Sequence, residues 1–152
     1  MSIKISNLGI IERIVKKRVD DMGSRFEDAV DTQRKAIETR TNSGIDVNGQ
    51  QFAGYSDRKK WNWRDTRRIN EKQTAYVDLK FSGDMFKAFK TIVKKDGFKF
   101  LATIFFDDIK QAQKAKGHHT GQLGKTTFKP RKFFGLSQSQ REAIVSKIRN
   151  AR

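Results

Sequence analysis

The sequence predicts an α+β fold: a long N-terminal helix packed on a small, mostly antiparallel sheet, with a capped C-terminal helix. Three observations carry that expectation. Apolar residues recur at three- and four-residue steps from Leu8 to Thr41, two β-prone runs flank an Asp-Gly pair, and a Ser-to-Gln capping pattern opens the C-terminal segment. With 152 residues, one domain spanning 1–152 is expected. Its parts are a long helix (8–41), a loop-rich basic segment (44–78), a sheet with short helices (79–136) and a C-terminal helix (137–150).

The first helix rests on Leu8, Ile11, Val15, Val19, Met22, Phe26, Val30 and Ile37, which share one helical face. Asn7 is placed to cap it, Asn42-Ser43-Gly44 to stop it, and Gly23 to allow a bend within it. Asn48-Gly49 then reads as a turn. The stretch Asp57–Gln73 shows no clear period and is expected to be mostly loop. Ser82 is placed to cap a short helix reaching Phe89, with Asp84 near its positive end. Thr91–Lys94 and Phe98–Phe106 are the strand candidates, with Asp96-Gly97 as the hairpin turn. The end of the second run is apolar on both faces, which suits a central strand or one covered by another subunit. Ile109–Lys116 reads as a helix ended by Gly117, and His118–Gly124 as a loop. Lys125–Phe134 reads as a strand pushed to an edge by Pro130. Ser137 and Gln140 then form a capping box ahead of Ile144, Val145 and Ile148.

Composition bounds function. Thirty-three Lys and Arg stand against seventeen Asp and Glu, a formal net charge of +16. Such a chain attracts polyanions, acidic protein surfaces or anionic membranes. No run approaches the roughly 20 apolar residues of a membrane span, and the N-terminus lacks the pattern of a signal peptide. Synthesis in a cytoplasm and no membrane partner are therefore expected. The chain has no Cys, which excludes disulfides and thiolate zinc sites. Hydrophobic residues make up only 36%, although twelve Phe enlarge what each buried position contributes. A modest core, completed by contacts with other subunits, is the expectation.

Catalytic constellations are scarce. The only histidines, His118 and His119, are adjacent, and a metal site would need carboxylates to complete it. Asp107-Asp108 suits nuclease metal ligands or, more simply, a helix N-cap. No nucleophile elbow, phosphate loop or dinucleotide fingerprint occurs. A protein that is not an enzyme and needs no cofactor is expected.

Two basic regions remain. Arg58, Lys59, Lys60, Arg64, Arg67 and Arg68 surround Trp61 and Trp63, a mixture able to neutralise phosphates and stack on bases. The reading preferred for the same tryptophans is that they close over a core or grip a neighbouring chain, since aromatics also anchor protein interfaces. From Ile109 to Arg152 there are eleven Lys or Arg, among them Lys125, Lys129, Arg131 and Lys132, and one carboxylate, Glu142. These residues are candidates to face DNA or an acidic protein partner.

The order of segments resembles the phage virion morphogenesis family, the tail-completion-like proteins of Mu-type phages. Arg40-Thr41-Asn42-Ser43-Gly44, then Asp46-Val47-Asn48-Gly49-Gln50-Gln51-Phe52 and Tyr55-Ser56, look like its helix followed by "G-x-D-x-x-G-x-x-F-x-x-Y-S". Leu79-Lys80-Phe81-Ser82-Gly83-Asp84-Met85 is similar to "L-x-x-T-G-x-M/L", with Ser in place of Thr. His118-His119-Thr120-Gly121 falls where the family tends to place His and Gly together. Pro130-Arg131-Lys132-Phe133-Phe134-Gly135-Leu136-Ser137 resembles "P-x-R-x-F-x-G-L-S" with slightly altered spacing. The Trp-containing stretch 57–73 departs from the pattern, so no family role passes to it. The resemblance implies a virion assembly protein at the head–tail junction: a tail completion protein, tail terminator or neck ring. Its partners would be copies of itself in a ring, tail-tube and head–tail connector proteins, and packaged DNA in the channel. Phe52, Tyr55, Phe133 and Phe134, like Trp61 and Trp63, would serve either as subunit contacts or as ordinary core. The competing expectation is a stand-alone basic protein that binds nucleic acid.

Overall fold

The computed structural model describes residues 8–54, 63–71, 74, 75, 77, 79 and 82–149. The chain is α+β. Its elements run α1 (Leu8–Asn42), α2 (Trp63–Ile69), α3 (Asp84–Lys87), β1 (Phe89–Asp96), β2 (Lys99–Phe106), α4 (Ile109–Thr120), β3 (Gln122–Leu123), β4 (Thr126–Thr127) and α5 (Gln138–Arg149). The expected cap at Asn7 lies outside the described residues.

α1 runs 35 residues as one helix. Gly23 lies within it and seats an aromatic ring, since a Cβ there would lie 2.8 Å from Phe100 Cε1. Phe26 closes on the same ring at 6.1 Å between centroids. The helix ends as expected. Ser43 N–H and Gly44 N–H donate back to the last turn, and Gly44 turns the chain at φ 77°. The following loop is built on Asp46, whose Oδ1 accepts from the N–H groups of both Asn48 and Gln50, while Gly49 takes φ 81°. A bridge between Ile45 and Gln51 closes it.

β1 and β2 form an antiparallel hairpin in the register Phe89↔Phe106 to Asp96↔Lys99. The turn is one residue later than expected. Gly97 and Phe98 are its central pair, with positive φ at Gly97 alone, the pattern of a type II′ turn. Phe98 therefore points to solvent rather than starting the strand. The face carrying Val93, Phe100, Ala102 and Ile104 is half-buried, and the hairpin lies along α1, with Lys95 Nζ 2.7 Å from Asp20 Oδ1. Among the described residues β2 pairs with β1 alone, so it is not a central strand.

Other elements also depart from expectation. The helix expected from Ser82 to Phe89 shrinks to α3, because Gly83 takes the N-cap place at φ 82° and Phe89 opens β1. Ser82 Oγ still accepts from Asp84 N–H, at 3.4 Å. α4 continues through Gly117 to Thr120, so both histidines are helical rather than in a loop. The helix stops instead at Gly121, in the left-handed conformation, and Asp108 caps its start by accepting from Gln111 N–H. The strand expected over Lys125–Phe134 reduces to the two-residue pairing of β3 with β4. Part of the basic segment is helical, as α2. At α5 the capping box forms as expected: Gln140 N–H donates to Ser137 Oγ and Ser137 N–H to Gln140 Oε1.

The core gathers around the C-terminal half of α1. Ile37, Phe52, Val77, Met85, Phe86, Phe89, Ala115 and Phe133 are buried together, with Leu79, Ile104, Phe106 and Leu136 packed against them. Arg40 ties the last segment to this core. Its Nη2 donates to the carbonyls of Phe133 and Gly135, and its Nη1 to Gln140 Oε1. Burial pushes the Arg40 guanidinium pKa down, and the nearby Asp46 carboxylate partly offsets this.

Candidate functional site

Two surface features stand apart from the core. The first is the N-terminal half of α1. Here Ile10 and Ile11 are 55% exposed, Ile14 51%, and Val15 and Met22 are exposed as well. Positions 10, 11, 14 and 15 form neighbouring rows at one- and four-residue offsets, so they make one apolar stripe. Helix length explains why nothing in the described chain covers it. A 35-residue helix is about 52 Å long at 1.5 Å per residue, whereas a compact chain of this size is only roughly 40 Å across. The outer face of the hairpin adds Leu101, at 66% exposure, with Ile92 beside it and Phe98 at the tip.

The second feature is a cationic cap at the C-terminal end of α4. β3 doubles back on that end so closely that a Cβ on Gly117 would meet Leu123 and the Gln122 carbonyl. Phe128 N–H donates to the Gly121 carbonyl, and Arg131 N–H to the His118 carbonyl. These bonds hold the backbone of the segment that carries Lys125, Lys129 and Lys132 against the end of the helix that carries Lys116, and all four lysines are exposed. Cations there also suit the negative end of the helix dipole.

Under the cap lie the histidines. Burial, with Arg131 and Lys114 nearby, holds the His118 pKa down at about 4. Arg131 Nη1 sits 3.4 Å from His118 Nδ1, and its guanidinium stacks 5.0 Å from the Phe128 ring centroid. Burial and Lys132 lower the pKa of His119, whose ring meets Phe133 edge-on. Both rings are thereby kept neutral at pH 7 and act as packing elements. Among the described residues no group of three or more His, Asp or Glu is placed to hold a metal ion.

The sites expected from sequence divide accordingly. Lys125, Lys129, Lys132 and Arg68 are exposed, but Arg67 is 2% exposed, which removes it from any surface contact. Arg131 is half-buried against Phe128 and His118. Phe133 is fully buried and Phe52 nearly so, which makes them core and not subunit contacts. Phe134 is partly exposed yet packs on Phe89 and Phe106. Arg58, Lys59, Lys60, Tyr55 and Trp61, and the side chains of Trp63 and Arg64, lie outside the described residues. Ile11 and Val15 of the α1 stripe belong to the helical face expected from sequence, whereas Ile10 and Ile14 were missed. The stripe's signal was length: a helix longer than the body that must cover it.

Among the described residues no helix is long and apolar enough to cross a membrane. Comparison with known proteins adds no family: no family model, no curated protein and no solved structure matches the chain.

Proposed function

We propose that this chain is a structural, non-enzymatic subunit of a tailed-phage particle, assembling as a ring at the head–tail junction. The observation that carries the oligomeric part is the bare stripe of Ile10, Ile11, Ile14 and Val15 on α1. Apolar rows of this kind on a helix are ordinarily covered by another helix or strand, and burying each such side chain stabilises an assembly by about 1.5–3 kcal/mol. The uncovered outer face of the hairpin supports the same reading. The placement in a virion rests on the ordered sequence resemblance to virion morphogenesis proteins. Neighbouring copies and the tail-tube and connector proteins are the partners this reading assigns.

Light scattering on the purified chain, together with mass spectrometry of purified particles, tests it. The wild-type chain is expected to run as a multimer and to be present in particles. The double variant Ile11→Glu, Ile14→Glu alters only exposed positions, so it should stay folded by circular dichroism and run as a single chain. A wild-type chain that is monomeric at every concentration and missing from particles would end the proposal.

A further inference from the structure

We infer that the cationic cap at the end of α4 is a sequence-independent binding surface for the phosphate backbone of double-stranded DNA. The cap is a different surface from the α1 stripe, so DNA binding there goes beyond the assembly reading and does not depend on it.

The distribution of ion pairs points to this cap. Among the described residues, the salt bridges join Arg34 and Lys35 to Asp31, Arg34 to Glu38, Lys87 to Asp84, and Lys95 to Asp20. All of them lie on α1, in α3 or between α1 and β1. From Ile109 to Arg149 the only carboxylate is Glu142, on α5. Lys116, Lys125, Lys129 and Lys132 therefore have no acidic neighbour in their own segment, and backbone hydrogen bonds hold the stretch that carries the last three on the end of the helix that carries the first. Like charges held together repel, and a dense polyanion relieves that repulsion while releasing its counterions.

The chemistry of the cap selects the partner. Protein interfaces are depleted in lysine and depend on aromatic or apolar anchors. The cap offers flexible lysines, and Leu123 is its one large exposed apolar side chain. Phe128, its aromatic residue, is half-buried, with the Arg131 guanidinium over its ring and His118 beside it, so stacking on a base would compete with contacts already made. Single-strand binders rely on such stacking. Point charges without a stacking platform or a base-reading fork suit a duplex backbone, which presents one phosphate per roughly 1.7 Å of helix axis.

Fluorescence anisotropy with a labelled 20-base-pair duplex over a salt series tests the inference on the full-length chain. The variant K125Q/K129Q/K132Q is expected to bind at least about tenfold more weakly and to flatten the salt slope by about 2.7, at about 0.9 for each phosphate no longer neutralised. The variant R13Q/K16Q/K17Q removes the same charge from an exposed part of α1 and should stay within about twofold of wild type, since charge alone acts weakly at a distance in salt. Equal losses in the two variants would overturn the inference, because binding would then follow net charge and not the cap. So would tighter binding of a 20-nucleotide single strand, or of poly-L-glutamate at matched charge. Light scattering on the same samples reports assembly separately, so failure of the ring reading and failure of this one are distinguishable.

Discussion

His118 is a residue on which burial and neighbouring charge act in the same direction. The ring is enclosed under the cap with Arg131 and Lys114 near it, and its pKa is held at about 4. In an unfolded chain the same imidazole titrates near 6.5. Above pH 6.5 neither state carries the proton, and the group contributes no pH dependence. Between about 6.5 and 4 the unfolded chain takes up a proton that the folded chain refuses, so stability falls as pH falls. Below about 4 both states are protonated and the loss is complete, at about 3 kcal/mol. The carboxylates of Asp31, held low by Lys35 and Arg34, and Asp84, held low by Ser82 and Lys87, act in a lower window. Their contribution is present above the ordinary carboxylate pKa and is lost only as pH drops through that range. Urea midpoints measured from pH 7 to 4.5 should thus fall for the wild type. For His118→Gln, which stays neutral and can still accept from Arg131, the decline should be visibly shallower. Parallel curves for the two chains would show that His118 is not the titrating group.

At the scale of the element, the end of α4 shows how a local signal can be outvoted by packing. Glycine ordinarily weakens a helix by about 1 kcal/mol relative to Ala, which is why Gly117 reads as a stop. In the fold it continues the helix because β3 lies against it, where a Cβ would come 2.6 Å from Leu123 Cδ1 and 2.9 Å from the Gln122 carbonyl oxygen. Leucine can swing away, but the carbonyl belongs to the backbone. Gly117→Ala should therefore destabilise by about 1–2 kcal/mol, the cost of overpacking exceeding the gain in helix propensity. Gly9→Ala, with nothing within 4 Å, should be neutral or slightly stabilising. Thermal unfolding of the two variants checks the contrast, and a stabilised Gly117→Ala would contradict the close approach. The same distinction separates what was legible in sequence from what was not. α1, the hairpin and the α5 capping box rest on periodicity and on interactions between residues near one another in the chain, and all three form. The extent of α4, the burial of Phe133 and Arg67, and the docking of the lysine-bearing segment 125–132 on one helix end depend on packing between segments. An amphipathic pattern names a face but not its partner, so Ile11 and Val15 were readable as part of a face, while their bareness and the Ile10–Ile14 row beside them were not.

For the whole molecule, the two surfaces make opposite demands on ionic strength. A formal charge of +16 on 152 residues repels both itself and any second copy. Near 0.01 M salt the screening length is about 30 Å, comparable to the molecule, and at 1 M it is about 3 Å. The Lys87–Asp84 and Lys95–Asp20 salt bridges are largely exposed, and pairs of that kind contribute roughly 0–1 kcal/mol each, so screening them loses little, while the half-buried Arg34 pairs on α1 are screened less. Relief of repulsion should therefore win. Raising NaCl from about 10 mM to 500 mM is expected to raise the Tm, by about 2–4 °C for each kcal/mol of repulsion removed in a chain of this length. Association through the apolar α1 stripe should strengthen over the same range, because burial of aliphatic surface is not screened, so the scattering mass at fixed protein concentration should rise. DNA binding through the cap should weaken steeply under the same conditions. Opposite salt responses of self-association and DNA binding are the signature expected of one chain with an apolar face at one end and a lysine cap elsewhere. An assembly that instead dissociates as salt rises would be held by charge, and the α1 stripe would not be its contact.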